Sequence, residues 1–173
     1  AYLLGFAIGQ LSGGPLSDRV GRKPLIMSGL LVFTLSSYYL IDAGSLSELL
    51  WLRVVQALGG GLATVNAAAI VRDLFRGADV ARTLSMVAMI TMMAPLLAPV
   101  LGALLLSLSG WRTIFLTLTV YGGVALLLLS TLLPESHPPC ARKRRWPVQD
   151  YRRVLSHPRA RILILALSLS YSG

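Results

Sequence analysis

Charged and chemically reactive side chains are scarce in this sequence, and their scarcity excludes several classes of protein. Only 13% of the 173 residues are charged, and just seven residues are acidic. The single cysteine, Cys140, has no partner for a disulfide and supports no metal site. The two histidines, His137 and His157, both fall in one hydrophilic connection, and the acids lie in connections or at the ends of apolar runs. We therefore expect no metal centre and no catalytic cluster of the kind that a membrane-embedded enzyme needs.

Motifs for nucleotide binding are also missing. The sequence contains no G-x-x-x-x-G-K-[ST] loop and no alternation of strands with helices. An ATP-driven transporter would therefore need its ATPase on a separate subunit, and we expect no cofactor. The net charge of +9 at first suggests a nucleic-acid partner. Because the positive residues fall in alternate connections between apolar runs, we exclude nucleic acid as a partner.

Long apolar runs are the feature that the sequence has in abundance. Apolar residues make up 55% of the chain, and the mean hydropathy of +0.70 exceeds that of soluble domains. About 20 apolar residues cross a hydrocarbon core of about 30 Å. We predict an all-α, polytopic membrane protein with spans at 1–17, 24–41, 47–71, 83–107, 113–133 and from 162.

The distribution of Lys and Arg predicts the orientation of these spans. Apart from Arg53 and Arg112, every Lys and Arg lies in one of three alternate connections, 18–23, 72–82 and 134–161. The positive-inside rule places these connections in the cytoplasm. The long connection 134–161 is predicted to be a linker that contacts anionic lipid, with a regulatory role as the alternative.

A charged segment, 14–23, separates the first two spans and predicts a tight turn. A cation of this turn can pair with the carboxylate that ends the third span, because both are predicted to be cytoplasmic. Such a pair is weak in water and suits a contact that must open and close. The alternative is that these charges serve only to set the topology. The predicted conformational latch consists of Gly14, Asp18, Arg19, Gly21, Arg22 and Asp73.

Arg53 lies about six residues inside the third span. Placing an arginine in a membrane helix costs roughly 2.5–3.5 kcal/mol, so we expect it to face protein or water. The alternative is that its side chain reaches the membrane surface, which is only about 9 Å away along the helix. A stripe of small and polar residues shares its helical face and suits either the lining of a cavity or close helix packing: Ala57, Gly60 and Thr64. Two lone polar residues, Asn66 and, on another span, Tyr121, either touch the substrate or satisfy a neighbouring group.

The fourth span contains two prolines four residues apart, followed by a glycine: Pro95, Pro99 and Gly102. Prolines kink membrane helices, and small residues allow close approach of a second helix. We predict a bend packed against a partner helix, with a purely structural kink as the alternative.

Three segments resemble the major facilitator superfamily, and in particular the bicyclomycin-resistance (Bcr/CflA) family of twelve-helix drug:proton antiporters. Residues 14–23 resemble the loop motif of the superfamily, and residues 52–59 resemble its fourth-helix motif. Residues 94–103 resemble the antiporter motif of the fifth helix, with alanine at 94, 98 and 103 where glycine is usual.

The resemblance implies a proton-coupled exporter of lipophilic drugs in the bacterial inner membrane, working by alternating access and powered by the proton gradient. It implies that Arg53 and Gln56 take part in proton coupling and that an acid on the first helix carries the proton. The chain is then expected to be a fragment from helix 2 to the start of helix 7. Residues 1–133 would form five helices of the N-terminal bundle, 134–161 the central linker, and 162–173 the start of the C-terminal bundle. We expect the full-length protein to be monomeric, with an importer or symporter as the alternative function.

Overall fold

A computed structural model describes residues 2–133, together with Ser156 and Pro158. The predicted linker and the last predicted span lie outside these residues, apart from those two positions. The described helices all belong to one compact unit. They are α1 (Tyr2–Val20), α2 (Arg22–Leu40), α3 (Leu46–Thr64), α4 (Ala67–Leu74), α5 (Ala78–Ser109) and α6 (Trp111–Leu132). No strand is present among the described residues, so the prediction of an all-α fold is confirmed for them.

Helix α3 is the centre of this unit. Helices α1 and α2 both pack along α3, and α2 also packs against α6. Helix α5 contacts α6 and α4 and leaves most of its surface exposed. Only a few large apolar side chains are buried, among them Leu25, Ile26, Leu40 and Phe115. The packing around α3 therefore depends on close contact between backbones more than on a core of large side chains.

Glycines make this close contact, and we call the set of buried glycines between α1, α2 and α3 the glycine interface. A Cβ added to Gly59 on α3 would lie 2.6 Å from the backbone oxygen of Gly29 on α2, and one added to Gly29 would lie 2.8 Å from that of Gly59. Helices α1 and α3 meet in the same way. Small residues of this kind let membrane helices approach until their backbones touch. The remaining members of the interface are Gly5, Gly9, Gly13 and Gly61.

The predicted turn at 14–23 is wrong, because almost all of it is helical. Helix α1 continues to Val20 and α2 begins at Arg22, so that Gly21 alone separates them. Gly21 has a φ of 114°, which an L side chain rarely adopts, and its N–H donates to the Ser17 carbonyl at 2.9 Å. Because one glycine reverses the chain, the residues before it stay in the last turns of α1. Gly14 is one of these helical residues, and a Cβ there would meet nothing within 4 Å.

The third predicted span, 47–71, lies within the single segment Leu46–Leu74, whose helical hydrogen bonding is interrupted at Val65 and Asn66. Helix α3 ends at Thr64, and α4 begins at Ala67. Between them the side-chain amide of Asn66 donates to the Leu62 carbonyl at 2.8 Å. In a continuous helix that carbonyl accepts from the backbone N–H of residue 66, so the asparagine side chain competes with the helix at this point.

By length and composition, three helical segments of the described chain are long and apolar enough to cross a membrane: Leu46–Leu74, Ala78–Ser107 and Trp111–Leu132. Helices α1 and α2, which cover the predicted spans 1–17 and 24–41, are not among them. The apolar sequence of helix α1 contains several glycines and polar residues, and α2 begins with Arg22 and Lys23. Small and polar residues lower the mean hydropathy of both helices. Several of them, such as Gly9 and Gly29, pack against α3 and need no contact with lipid.

Candidate functional site

Two polar clusters lie near the two ends of the α3–α4 segment. The charged cluster comprises Ser17, Asp18, Arg22 and Asp73. The second cluster, which we call the Arg53 chain, comprises Arg53, Gln56 and Ser37. Asp73 follows Arg53 by about 20 residues, which is roughly 30 Å along a helix, so the two clusters are close to opposite sides of a membrane.

Arg22 is the centre of the charged cluster. Its Nη1 lies 3.1 Å from Asp18 Oδ1 on α1, and its Nε lies 3.1 Å from Asp73 Oδ2 on α4. Nη1 also donates to the Ser17 hydroxyl. The Arg22 side chain is 12% exposed, whereas the Asp18 and Asp73 side chains are 33% and 26% exposed. One largely buried cation therefore joins carboxylates from two other helices, and water reaches those carboxylates.

The other residues of the predicted latch take different positions. Arg19 is partly buried in the last turn of α1, and Gly14 lies within that helix. Gly21 provides the reversal between α1 and α2. Lys23, which was not predicted as part of the latch, donates to the Ser130 carbonyl of α6 at 2.8 Å.

Arg53 has uncharged partners throughout the described residues. Its Nη1 donates to Gln56 Oε1 at 3.1 Å. Its guanidinium carbon lies 4.7 Å from the centre of the Phe115 ring and 5.8 Å from that of Tyr2. Aromatic faces attract cations, so these rings replace part of the solvation that the guanidinium loses. No carboxylate of the described chain pairs with Arg53.

The Arg53 chain continues into α2. Gln56 Nε2 donates to Ser37 Oγ at 2.7 Å, and Ser37 Oγ donates to the Phe33 carbonyl at 2.7 Å. Gln56 and Ser37 are both fully buried. Three hydrogen bonds thus connect the guanidinium on α3 to the backbone of α2.

Arg53 lines an open cavity of about 400 Å³, together with Tyr2, Leu49 and Leu50. Leu49 and Leu50 belong to the first turns of α3, so this cavity lies beside the start of that helix, and the facing of Arg53 toward a substrate cavity stays a prediction. The stripe predicted to share that cavity does not line it. Ala57 is fully buried, a Cβ on Gly60 would contact the Phe33 ring at 3.6 Å, and the exposed Thr64 donates to the Gly60 carbonyl at 3.0 Å.

Asn66 and Tyr121, the other two candidates for substrate contact, are also absent from the lining of this cavity. Asn66 is fully buried at the break between α3 and α4, and its Oδ1 has no hydrogen-bond partner among the described residues. Tyr121 lies on α6 with 67% of its surface exposed. The candidates for the substrate cavity therefore do not form one site in this part of the chain. They are Gly60, Thr64, Asn66 and Tyr121.

The predicted bend lies in the middle of α5, which runs as one helix from Ala78 to Ser109 through Pro95 and Pro99. Residues 85–101 are exposed, and a Cβ on Gly102 would meet nothing within 4 Å. No described residue packs against the bend, and its packing against a partner helix stays a prediction. The described residues also contain no group of three His, Cys, Asp or Glu that could hold a metal ion.

Sequence analysis missed Ser17, Ser37 and Lys23. Ser17 and Lys23 are adjacent to residues of the predicted latch. Their contacts depend on which face of a helix they occupy, and a segment predicted to be a turn has no defined helical face. Ser37 belongs to a pair of serines inside an apolar run, and both are buried. A hydroxyl in such a run must find a partner when it is buried, which is the signal that could have identified it.

Comparison with known proteins gives consistent matches. The family model described as Major Facilitator Superfamily matches residues 1–173. A Bicyclomycin resistance protein homolog from Haemophilus influenzae is 34% identical over 79% of this chain and 34% of its own length. Multidrug resistance protein D from Escherichia coli K12 is 34% identical over 84% of this chain and 37% of its own length. Multidrug resistance protein MdtL from Escherichia coli O81 is 34% identical over 98% of this chain and 44% of its own length. The chain therefore spans less than half the length of these relatives, and the matches confirm the resemblance seen in its motifs.

Proposed function

Because this chain belongs to the Major Facilitator Superfamily, we propose that the full-length protein exports drugs or other small lipophilic molecules by exchange for protons. The chain is part of a multi-pass membrane protein of the bacterial inner membrane. Relatives named for bicyclomycin and multidrug resistance support drugs as the substrate class. The proposed energy source is the proton gradient, with no cofactor, and the proposed working unit is a monomer.

The observation that carries the coupling proposal is the Arg53 chain. Among the described residues the Arg53 guanidinium meets only an amide and two aromatic rings, so nothing in this part of the chain balances its positive charge within a membrane-spanning segment. Such a charge favours the ionised form of any carboxyl group that approaches it. We propose that Arg53 and Gln56 hold a proton-carrying acid, supplied by sequence outside this chain, in its ionised form until a proton or substrate arrives.

The charged cluster suits the conformational step of alternating access. Arg22 ties α2 to α1 and α4 through contacts that water reaches, so these contacts can break and re-form at small free-energy cost. The positive-inside rule places this end of the helices in the cytoplasm. We propose that the cluster closes the cytoplasmic side when the transporter opens outward.

The test uses the full-length protein in inverted membrane vesicles whose lumen has been acidified. A pH-sensitive dye reports release of protons from the lumen when a lipophilic drug is added, and labelled drug reports its accumulation inside. We expect drug-triggered proton release, and a rate that is lower by about tenfold or more in Arg53→Ala, which corresponds to about 1.4 kcal/mol of lost coupling.

Arg112→Ala is the matched control, because Arg112 is exposed and its guanidinium carbon lies 5.5 Å from the Trp111 ring centre. This variant should exchange drug for protons at the normal rate. Drug accumulation without proton release would contradict coupling. Drug and protons moving together in the same direction would instead support the alternative, a symporter.

A further inference from the structure

The hydrogen bonds of the Arg53 chain run in one direction only. A guanidinium has donors and no acceptor, so Gln56 must present its Oε1 to Arg53. The amide nitrogen of Gln56 then points to Ser37, whose oxygen accepts at 2.7 Å. The Ser37 hydroxyl has a single proton, and it goes to the Phe33 carbonyl at 2.7 Å. The direction of each of the three hydrogen bonds is thereby assigned.

This assignment gives the Ser37 hydroxyl a specific task. Gln56 and Ser37 are fully buried, so water cannot replace either partner. Without the Ser37 oxygen, the amide nitrogen of Gln56 would be left buried without an acceptor, which is unfavourable. The amide could then rotate away to find another acceptor for its nitrogen, and its carbonyl would no longer point directly at the guanidinium. The Ser37 oxygen therefore keeps the carbonyl side of the amide facing Arg53.

We propose that Ser37 is a positioning residue of the coupling site: it fixes the amide of Gln56 so that the Arg53 guanidinium is held in place. This inference rests on the proposed coupling role of Arg53 and Gln56. Ser37 touches neither the proton nor the substrate in this proposal and acts only through Gln56. It also places the coupling site under the control of α2, because any movement of α2 along α3 changes the contact between Ser37 and Gln56.

The first test observes the amide itself. Full-length protein is labelled with ¹⁵N in the glutamine side chains, and the Gln56 signal is assigned by its loss in Gln56→Leu. We expect Ser37→Ala to shift this signal and to speed the exchange of its amide protons with water by about fivefold or more, the effect of a hydrogen bond worth about 1 kcal/mol. Ser37→Thr, which keeps the hydroxyl, should restore the signal.

Ser36→Ala is the matched control, since Ser36 is buried in the same turn of α2 and takes no part in the Arg53 chain. It should leave the Gln56 signal unchanged. An unchanged Gln56 signal in Ser37→Ala, or an equal shift in Ser36→Ala, would overturn the proposal.

The second test asks whether Ser37 acts through Gln56 in transport. In the vesicle assay, Ser37→Ala should slow drug-triggered proton release by about fivefold, and it should have no further effect in a Gln56→Leu background. Independent, additive losses would show that Ser37 acts elsewhere and would overturn the proposal. If the unmodified protein releases no protons while Ser37→Ala still shifts the Gln56 signal, the coupling function fails and the positioning role of Ser37 is retained.

Discussion

The charged cluster and the Arg53 chain are both built around an arginine, yet they treat its charge in opposite ways. Arg22 lies between two carboxylates that are partly exposed. Arg53 has an amide and two aromatic rings as partners and faces a cavity. A compensated charge near water is suited to a contact that opens and closes. An uncompensated charge at membrane depth is suited to acting on another ionisable group. The same residue type thus serves two functions according to what surrounds it.

Both clusters have a residue on α2 and therefore depend on the position of that helix. Arg22 and Ser37 are on α2, while Arg53 and Gln56 are on α3, and the glycine interface sets the distance between these helices. A change that separates α2 from α3 should therefore disturb both clusters, whereas a change in one arginine should disturb one.

The largest expected effect comes from Gly59→Ala. This substitution should push α2 away from α3 and so disturb the charged cluster and the Arg53 chain together. The new Cβ would lie 2.6 Å from the Gly29 oxygen and 2.7 Å from the Phe33 nitrogen. Both are backbone atoms, so the helices must move apart. We expect a loss of about 3 kcal/mol in the free energy of unfolding, measured on the full-length protein in detergent.

Gly123→Ala on α6 is the matched control, because a Cβ there would meet nothing within 4 Å. It should be neutral or stabilising by up to about 1 kcal/mol, since alanine favours helix over glycine. Equal stability of the two variants would refute the idea that backbone contact at the glycine interface holds α2 to α3.

A smaller effect, which would sharpen the comparison, is expected from replacing each arginine by methionine. Arg22→Met leaves Asp18 and Asp73 close together without their shared cation, and we expect a loss of about 1 kcal/mol in the free energy of unfolding. In a Gln56→Leu background, which removes the buried acceptor of the Arg53 guanidinium, Arg53→Met removes a charge that no described carboxylate balances, and we expect a change below about 0.5 kcal/mol. Chemical unfolding of both variants measures the difference. A greater loss for Arg53→Met would show that its charge is balanced after all.

The smallest expected effect is the dependence of these losses on salt. Raising ionic strength from about 0.05 M to about 0.5 M screens charges that water reaches. The loss caused by Arg22→Met should therefore shrink by a few tenths of a kcal/mol. The change caused by Arg53→Met should stay the same, because amide and aromatic partners carry no net charge to screen. Equal salt dependence in the two variants would contradict the assignment of Arg22 to the more solvated cluster.

The sequence was sufficient to locate the helices, because uncharged runs and clustered cations reflect the cost of placing charge in lipid. It also identified Arg53 as a charge inside an apolar run, and Arg22 and Asp73 as opposite charges in neighbouring connections, whereas Gln56 was identified by the resemblance to the fourth-helix motif. Sequence analysis missed the glycine interface, although a signal for it was present. The spacing of Gly5, Gly9 and Gly13 is that of small residues on one face of a membrane helix.

Other features could not be predicted from local pattern. A charged segment rich in glycine favours a turn, and nothing local showed that Gly21 alone would reverse the chain. The hydrogen-bond pattern of the third span is interrupted at Asn66, because its side-chain amide donates to the Leu62 carbonyl. Asparagine is tolerated in other helices, so its presence alone does not predict such an interruption. The role of Ser37 depends on which residue of α3 lies opposite it, and helix pairing of this kind is a property of tertiary packing.

The charged cluster also bears on the order in which the protein is made. Asp18 precedes Arg22 by four residues across the reversal at Gly21, so the two can pair as soon as α1 and α2 have left the ribosome. Asp73 follows Arg22 by 51 residues, so its pairing must wait until α3 and α4 have been synthesised and inserted. The bond between Arg22 and Asp73 thus forms only after α1 to α4 have come together.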